Sequence, residues 1–317
     1  MEEPNKREER PPDETREEIA STPSDLPDRD QTEPEALEPN SPLADRWRFR
    51  HPLFVRLGHW LNVICLPILL MSGFQIFNAH PALYWGERSD RDRPLLAMKA
   101  IQTESGELRG VTTLFGHPFD TTGLFGVSAD DTGKPYSRGF PQWMTLPKHQ
   151  WLAMGRRWHF FFAWIFVING LIFVISSLAS RHFWNDLLPK KNDLRKIGAS
   201  IRDHLFFRHP TGEEAAHYNV LQKIAYTGVV FVLAPLIVLT GLTMSPDMDA
   251  TLPGLLTFFG GRQSARTIHF IAAFSFIGYT VVHVLMVGIT GVWNNLRSMI
   301  TGWYRLPEGG EHHEETN

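Results

Sequence analysis

The sequence predicts an all-α membrane protein in which four transmembrane helices form a bundle behind a disordered acidic tail. Four apolar runs are the first basis for this fold class, because each can supply the helix of about 20 residues that crosses a bilayer. The second basis is the contrast in charge between the first 45 residues and the rest of the chain. The third is a set of histidines inside the apolar runs, where ionisable side chains are costly and mostly serve function.

Residues 1–45 form the predicted tail. They hold fifteen acidic and five basic residues, eight prolines and no Phe, Tyr or Trp. Such a segment buries too little apolar surface to fold, so it is predicted to be disordered. It lacks a basic stretch followed by an apolar core, and it is therefore not predicted to be a secretory signal.

The transmembrane bundle is predicted for residues 46–305, with a short cytoplasmic tail over residues 306–317. Buried helices of a soluble protein are the alternative, which is disfavoured because four apolar runs of this length with so few charges are rare there. No internal repeat is evident. The predicted spans lie at about residues 57–77, 158–178, 224–244 and 268–293.

The orientation of the spans follows from the lysines and arginines beside them, which concentrate on the cytoplasmic side of a membrane. Residues 46–57 hold four arginines and no acid, and residues 181–218 hold seven bases. The connection between the third and fourth spans has only two bases, balanced by two acids. Both termini are therefore predicted to be cytoplasmic, and residues 79–157 to form a long loop on the other side.

Two connections are long enough to have a role of their own. Residues 79–157 are rich in Gly, Pro and Asp, so they are predicted to be irregular and to offer a docking surface for a partner outside the membrane. In the middle connection Ile197, Ile201, Leu205 and Phe206 follow helical spacing. They predict either an amphipathic helix on the cytoplasmic membrane surface or a solvated loop helix.

Four histidines lie inside the predicted spans. His269 and His283 are fourteen residues apart on the fourth span, which places them on one helix face and about 21 Å apart along its axis. His59 lies near the start of the first span, on the cytoplasmic side, and His159 lies near the start of the second span, on the outer side. Matching the depths pairs His159 with His269 and His59 with His283.

Two histidine pairs stacked across a bilayer are the arrangement that holds two b-type haems by their axial positions. Cys65 is the single cysteine, which excludes CxxCH haem attachment and iron–sulfur ligation within this chain, and it is predicted to be an apolar core residue. An iron with both axial positions filled has no open site for substrate, which favours electron transfer. A proton relay or interhelical hydrogen bonding is the alternative role of the histidines, but it leaves their matched depths unexplained.

Haem propionates need cations, and the sequence offers four arginines close to the histidines. Arg56, Arg156, Arg157 and Arg266 lie two or three residues before a histidine. Each is either a propionate partner or an arginine that only sets topology. Small residues such as Gly278 leave room for a porphyrin, or they serve ordinary helix packing.

Five segments of the sequence carry a family resemblance. They are RLGHWLNVICLPILLMSGFQIFNAHPALYWG (56–86), RRWHFFFAWIFVING (156–170), YNVLQKIAY (218–226), LTGLTMSP (239–246) and GGRQSARTIHFIAAF (260–274). Over about residues 48–305 the chain resembles the bacterial cytochrome b561 and nickel-iron hydrogenase b-type cytochrome superfamily. Within it the chain resembles the thiosulfate reductase cytochrome b subunits, and it is also similar to formate dehydrogenase cytochrome b subunits.

This resemblance implies a membrane subunit with two haem b groups, which carries electrons between the quinone pool and a periplasmic partner across the bacterial inner membrane. It implies a quinone site near the cytoplasmic haem, on Asn219, Gln222 and Lys223, with His283 as the opposite wall. Asn219 and Gln222 also fit a capping-box-like helix start. A periplasmic molybdopterin oxidoreductase is the partner expected by analogy.

The main hypothesis is therefore a dihaem cytochrome b subunit that is not catalytic alone, since the chain has no nucleotide-binding glycine loop and no nucleophile–base motif. Membrane lipid and quinone are expected partners, and nucleic acid is not. Two alternatives stay open. One is a stand-alone transmembrane reductase, for example of ferric chelates, and the other is a haem-free membrane scaffold or proton-relay protein.

Overall fold

The computed structural model describes residues 47–181 and 220–306, together with six isolated residues between these ranges. The predicted N-terminal tail, residues 307–317, most of the middle connection with its predicted amphipathic helix, and Asn219 lie outside the described residues. In chain order the elements are β1 (Trp47–Phe49), α1 (Leu53–Phe77), β2 (Ala82–Leu83), β3 (Leu96–Gln102), β4 (Leu108–Leu114), β5 (His117–Asp120), β6 (Gly126–Ala129), β7 (Pro135–Arg138), α2 (Leu152–Ala179), α3 (Val220–Thr243), α4 (Pro246–Thr251), α5 (Pro253–Phe258), α6 (Arg262–Ile289), α7 (Val292–Thr301) and β8 (Trp303–Arg305).

Four of these helices, α1, α2, α3 and α6, are long and apolar enough to cross a membrane. Each begins four to six residues before its predicted span, because its first two turns carry basic side chains that reach the interface while the backbone stays helical. The fourth span ends at Ile289 and not at residue 293, since Gly291 adopts a φ of +101° and breaks the helix before α7. Cys65 is fully buried within α1, as predicted.

The prediction that residues 79–157 are irregular is wrong, and the all-α class fails for this part of the chain. Strands β2 to β5 form a four-stranded antiparallel sheet in sequence order, and β6 pairs with β7 in a separate hairpin. Some of the Gly and Asp residues behind that prediction, such as Asp130 and Gly133, lie in a turn between two strands. A composition rich in turn residues therefore does not show which strands the turns connect.

The turn between β6 and β7 shows how these residues act. The Asp130 carboxylate accepts hydrogen bonds from the backbone N–H groups of Thr132 and Lys134, and Gly133 supplies a φ of +81°. The Thr132 hydroxyl donates to the same carboxylate and holds the pKa of Asp130 below its usual value. The local side-chain bonds thus fix a hairpin turn where the sequence looked unstructured.

The sheet shares a core with two of the long helices. Phe74 and Phe77 of α1 pack with Leu83 of β2, Met98 of β3 and Phe140, and partly buried side chains of α6 close this core. The sheet is therefore anchored on the helices by apolar burial, the main favourable term in folding.

Hydrogen bonds tie β2 to the first turns of α6. Arg266 donates to the carbonyl oxygens of His80 and Ala82, and Thr267 donates to the carbonyl oxygen of Tyr84 at 2.7 Å. Burial and the neighbouring Arg266 charge lower the pKa of His80. This end of the long helices, where the sheet docks, is named the sheet end below.

Arg138 links the β6–β7 hairpin to α1. Its side chain is buried and donates to Gln75 Oε1 and Thr145 Oγ1 at 2.6 Å, and to the Tyr136 hydroxyl and the Lys148 carbonyl at 2.9 Å. No carboxylate pairs with this guanidinium in the described part of the chain. Arg138 therefore holds the sheet end together through neutral hydrogen-bond acceptors.

Replacing Arg138 with Ala is expected to lower the free energy of unfolding by about 3 kcal/mol, because a buried charged donor is lost and the buried Gln75 Oε1 is left without its donor. Thermal denaturation of the detergent-purified protein, followed by circular dichroism, measures the change. Arg109→Ala, at an exposed arginine of β4, is the control. An equal loss in both variants would contradict the linking role of Arg138.

The other end of the helices is closed by the pairing of β1 with β8, which are antiparallel. The Trp60 indole of α1 donates to the Met299 carbonyl at 3.0 Å, and Arg56 donates to the Ile300 carbonyl. This end of the long helices, where β1 pairs with β8, is named the terminal end below. It brings the start of α1 beside α7. It follows that α1 runs from the terminal end to the sheet end, and that α6 runs back.

Candidate functional site

His159 of α2 and His269 of α6 face each other near the sheet end. Each is the eighth residue of a helix that begins at this end, so both lie at the same depth. Their ring centroids are 6.2 Å apart, and the ring planes meet at 62°. These two residues are the sheet-end pair.

The imidazole of His159 is held by α1. Its Nδ1 lies 3.1 Å from the carbonyl oxygen of Leu69 and 3.1 Å from Ser72 Oγ. Gly73 lies directly against this ring, since a Cβ there would be in van der Waals contact with Cε1 of the imidazole, at 3.4 Å. A carbonyl oxygen only accepts, so Nδ1 carries the proton and Nε2 keeps its lone pair.

The imidazole of His269 is held in the same way by α3. Its Nδ1 lies 3.0 Å from the carbonyl oxygen of Ile237 and 3.2 Å from Thr240 Oγ1. A Cβ on Gly241 would lie 3.3 Å from Cε1 of this ring. Both rings of the sheet-end pair therefore present Nε2 as the free ligand atom.

His59 of α1 and His283 of α6 form the terminal-end pair. Their ring centroids are also 6.2 Å apart, with an interplanar angle of 58°. Trp60 lies edge-on to His59, and Tyr279 stacks on His283 at 5.8 Å. Within the described residues, Nδ1 of His59 is buried without a hydrogen-bond partner.

The spacing of both pairs fits an iron between two imidazoles. An imidazole nitrogen lies about 2 Å from a transition metal that it ligates and its ring centroid about 1 Å further back, so two rings on opposite sides of one iron have centroids about 6 Å apart. Both pairs have this separation. Among the described residues no cluster of three or more His, Cys, Asp or Glu side chains offers a different kind of metal site.

The four arginines considered as propionate partners have different surroundings. The guanidinium of Arg156 lies over the Phe160 ring, and Arg157 is exposed beside it. Arg266 is already bound to two carbonyl oxygens of the β2 region. Arg56 donates to a carbonyl oxygen of α7 at the terminal end. Arg156 and Arg157 therefore offer the more accessible cations at the sheet end.

Gln222 and Lys223 lie in the first turn of α3. The helix runs from the terminal end to the sheet end, because Thr240 near its other end contacts the sheet-end pair. The two residues are thus at the same end as His59 and His283. The third residue of this predicted set, Asn219, lies outside the described residues.

Sequence reasoning missed the residues that hold the Nδ1 atoms, although a signal was present. LLMSGF (69–74) and IVLTGL (237–242) share three large apolar residues, a hydroxyl residue and a glycine. In the structure these strings occupy equivalent positions on α1 and α3, each against a histidine of the next long helix. The helix pairs α1–α2 and α3–α6 are therefore local repeats of one arrangement.

Four membrane-length helices with two facing histidine pairs are typical of one class of protein, the integral membrane cytochromes. The family model of the prokaryotic cytochrome b561 matches residues 50–302. The chain therefore belongs to the prokaryotic cytochrome b561 family, which confirms the predicted family, haem b binding and transmembrane electron transfer.

One relative is similar to this chain over almost the whole length of the relative. It is the putative protein-methionine-sulfoxide reductase subunit YedZ1 of Azospira oryzae, which is 29% identical over 254 residues. The match covers 80% of this chain and 96% of the relative.

Proposed function

We propose that the protein is a dihaem b-type cytochrome that passes electrons between membrane quinone at the terminal end and an oxidoreductase partner at the sheet end. The observation that carries this proposal is the pair of 6.2 Å histidine separations, one near each end of the helices. His159 and His269 would hold one haem, and His59 and His283 would hold the other. Haem b supplies one-electron redox chemistry when it is bound.

The protein side chains do three things in this function. Two histidines at each site would hold the iron from both sides and would leave oxygen and substrate no position on it. The apolar helices keep the two sites in a medium of low dielectric, which tunes their potentials. Arg156 and Arg157 would pair with haem propionates at the sheet end, and Arg56 would do so at the terminal end. Arg266 remains with the β2 carbonyls.

The quinone end is proposed from the position of α3. Gln222 and Lys223 lie at the same end of the long helices as His59 and His283, and together with Asn219 they form the proposed quinone site. Oxidation of a quinol there releases two electrons and two protons. The count of lysines and arginines supports a cytoplasmic terminal end and a periplasmic sheet end in the bacterial inner membrane.

The partner is proposed from the relative and from the shape of the sheet end. The relative is named as a subunit of a protein-methionine-sulfoxide reductase, which favours a partner that reduces sulfoxides. Methionine sulfoxide, two electrons and two protons give methionine and water. The β2–β7 region is the docking surface for this partner, and a molybdopterin enzyme remains the expected class by analogy.

Electron flow in membranes that contain the protein and its native partner tests the proposal. A quinol should reduce the b-type haem spectrum, and later addition of methionine sulfoxide should reoxidise it. Membranes that carry His149→Ala, at an exposed histidine outside both the long helices and the β2–β7 region, are the matched control and should behave like the wild type. A haem spectrum that quinol leaves oxidised would rule out the quinone role, and reduced haem that the sulfoxide leaves unchanged would rule out the partner.

A further inference from the structure

We propose that Ser72 and Thr240 are positioning residues that lower the redox potential of the haem held by His159 and His269. The inference rests on the proposed haem ligation. Both hydroxyl side chains are fully buried, and each lies within hydrogen-bond distance of one Nδ1 atom, at 3.1 Å and 3.2 Å. They occupy the same place on α1 and on α3, one on either side of the same iron position.

The direction of these hydrogen bonds follows from the partners of each hydroxyl. Ser72 donates its proton to the carbonyl of Ile68 at 2.6 Å, and Thr240 donates to the carbonyl of Leu236 at 2.7 Å. Each hydroxyl proton is thus donated to a backbone carbonyl one turn earlier in the same helix, as is common for Ser and Thr in helices. An oxygen lone pair then faces the imidazole, so the Nδ1–H group is shared between the hydroxyl oxygen and the backbone carbonyl oxygen of Leu69 or Ile237.

Acceptance of this proton changes the ligand chemically. A hydrogen bond from Nδ1–H makes the imidazole a more basic ligand and fixes the ring orientation. A more basic axial ligand stabilises the oxidised iron, which lowers the reduction potential. Because Ser72 and Thr240 act on different ligands of one iron, their effects should add.

The terminal-end pair lacks this arrangement. In the described part of the chain, Nδ1 of His59 is buried without a hydrogen-bond partner. The effect of the two hydroxyls is therefore confined to one of the two haems. That contrast gives an internal reference within the same molecule.

Potentiometric titration of the detergent-purified protein tests the inference. Thr240→Val and Ser72→Ala should each shift one haem wave to higher potential, the double variant should shift it further, and the other wave should stay in place. Thr243→Val is the matched control, since Thr243 is equally buried on α3 but donates only to the Thr240 carbonyl. Its titration should match that of the wild type.

The variant His283→Ala shows which haem gives the shifted wave. It removes a ligand of the terminal-end haem, so only the redox wave that Ser72 and Thr240 affect should remain. Thr240→Ser keeps the hydroxyl that Thr240→Val removes, so its haem potential should equal the wild-type value. Unshifted potentials at normal haem content would overturn this inference and leave the proposed function intact. A wild-type protein without haem at the sheet end would overturn both. If Thr240→Val lost this haem altogether, Ser72→Ala would carry the test.

Discussion

His269→Ala is expected to reduce the haem content of the purified protein from two haems per chain to one, and His283→Ala to remove the other haem. Both side chains lie on α6, yet each faces a different partner histidine at 6.2 Å. A single imidazole holds b-type haem poorly when the opposite axial position is empty, since no covalent bond attaches the macrocycle. The pyridine haemochrome assay measures the content.

The double variant His269→Ala and His283→Ala should contain no haem. His159→Ala should give the same spectrum as His269→Ala, and His59→Ala should give the same spectrum as His283→Ala. The reason is that the two histidines of each pair are proposed to hold the same iron. His149→Ala, outside the long helices, should retain both haems. If His269→Ala retained two haems, the proposed pairing would be wrong. If the wild-type protein contained no haem, the proton-relay hypothesis would become the favoured one.

Gly241→Leu and Gly73→Leu are each expected to remove the sheet-end haem and to leave the terminal-end haem bound. A Cβ at these positions already lies 3.3 Å and 3.4 Å from the imidazole Cε1, so the branched end of Leu would overlap the ring. The histidine must then rotate away from the iron, because the surrounding helices cannot yield by the volume of three further carbons. Haem content and the remaining redox wave measure the result.

Gly278→Leu is the matched control for this steric prediction. Gly278 lies nine residues after His269, so helical geometry places it on the opposite face of α6, and a Cβ there meets no other atom within 4 Å. Both haems should remain in this variant. Full haem content in Gly241→Leu would mean that α3 does not support the His269 ring in the way that the structure indicates.

The histidine pairs were predictable because they depend on helix geometry alone. A rise of about 1.5 Å per residue fixes the depth of His159 and His269 from the ends of their helices, and the fourteen-residue gap fixes the common face of His269 and His283. Hydropathy likewise located the four long helices, though it placed their starts late. The helical first turns that carry Arg56 or Lys223 are too polar for a hydropathy window.

The sheet was not predictable from the same kind of pattern. The paired residues of β3 and β4 are only 6 to 18 residues apart in the chain, but these short strands with mixed burial give no clear alternation from which their register could be predicted. The turn around Asp130 was visible as composition, but a turn alone does not identify its strands. The link from Arg138 to Gln75 spans 63 residues, and it exists only once both elements are docked.

The sequence by itself determined the membrane helices, the depths of the four histidines and the family, because these depend on local hydrophobicity, on helical rise and on short strings. Only the tertiary structure decided which atoms hold the imidazoles. Leu69 and Ser72 meet His159, and Ile237 and Thr240 meet His269, since the rotation of each helix about its axis is set by packing against its neighbour. That rotation depends on side-chain contacts between helices, which no periodicity within one helix contains.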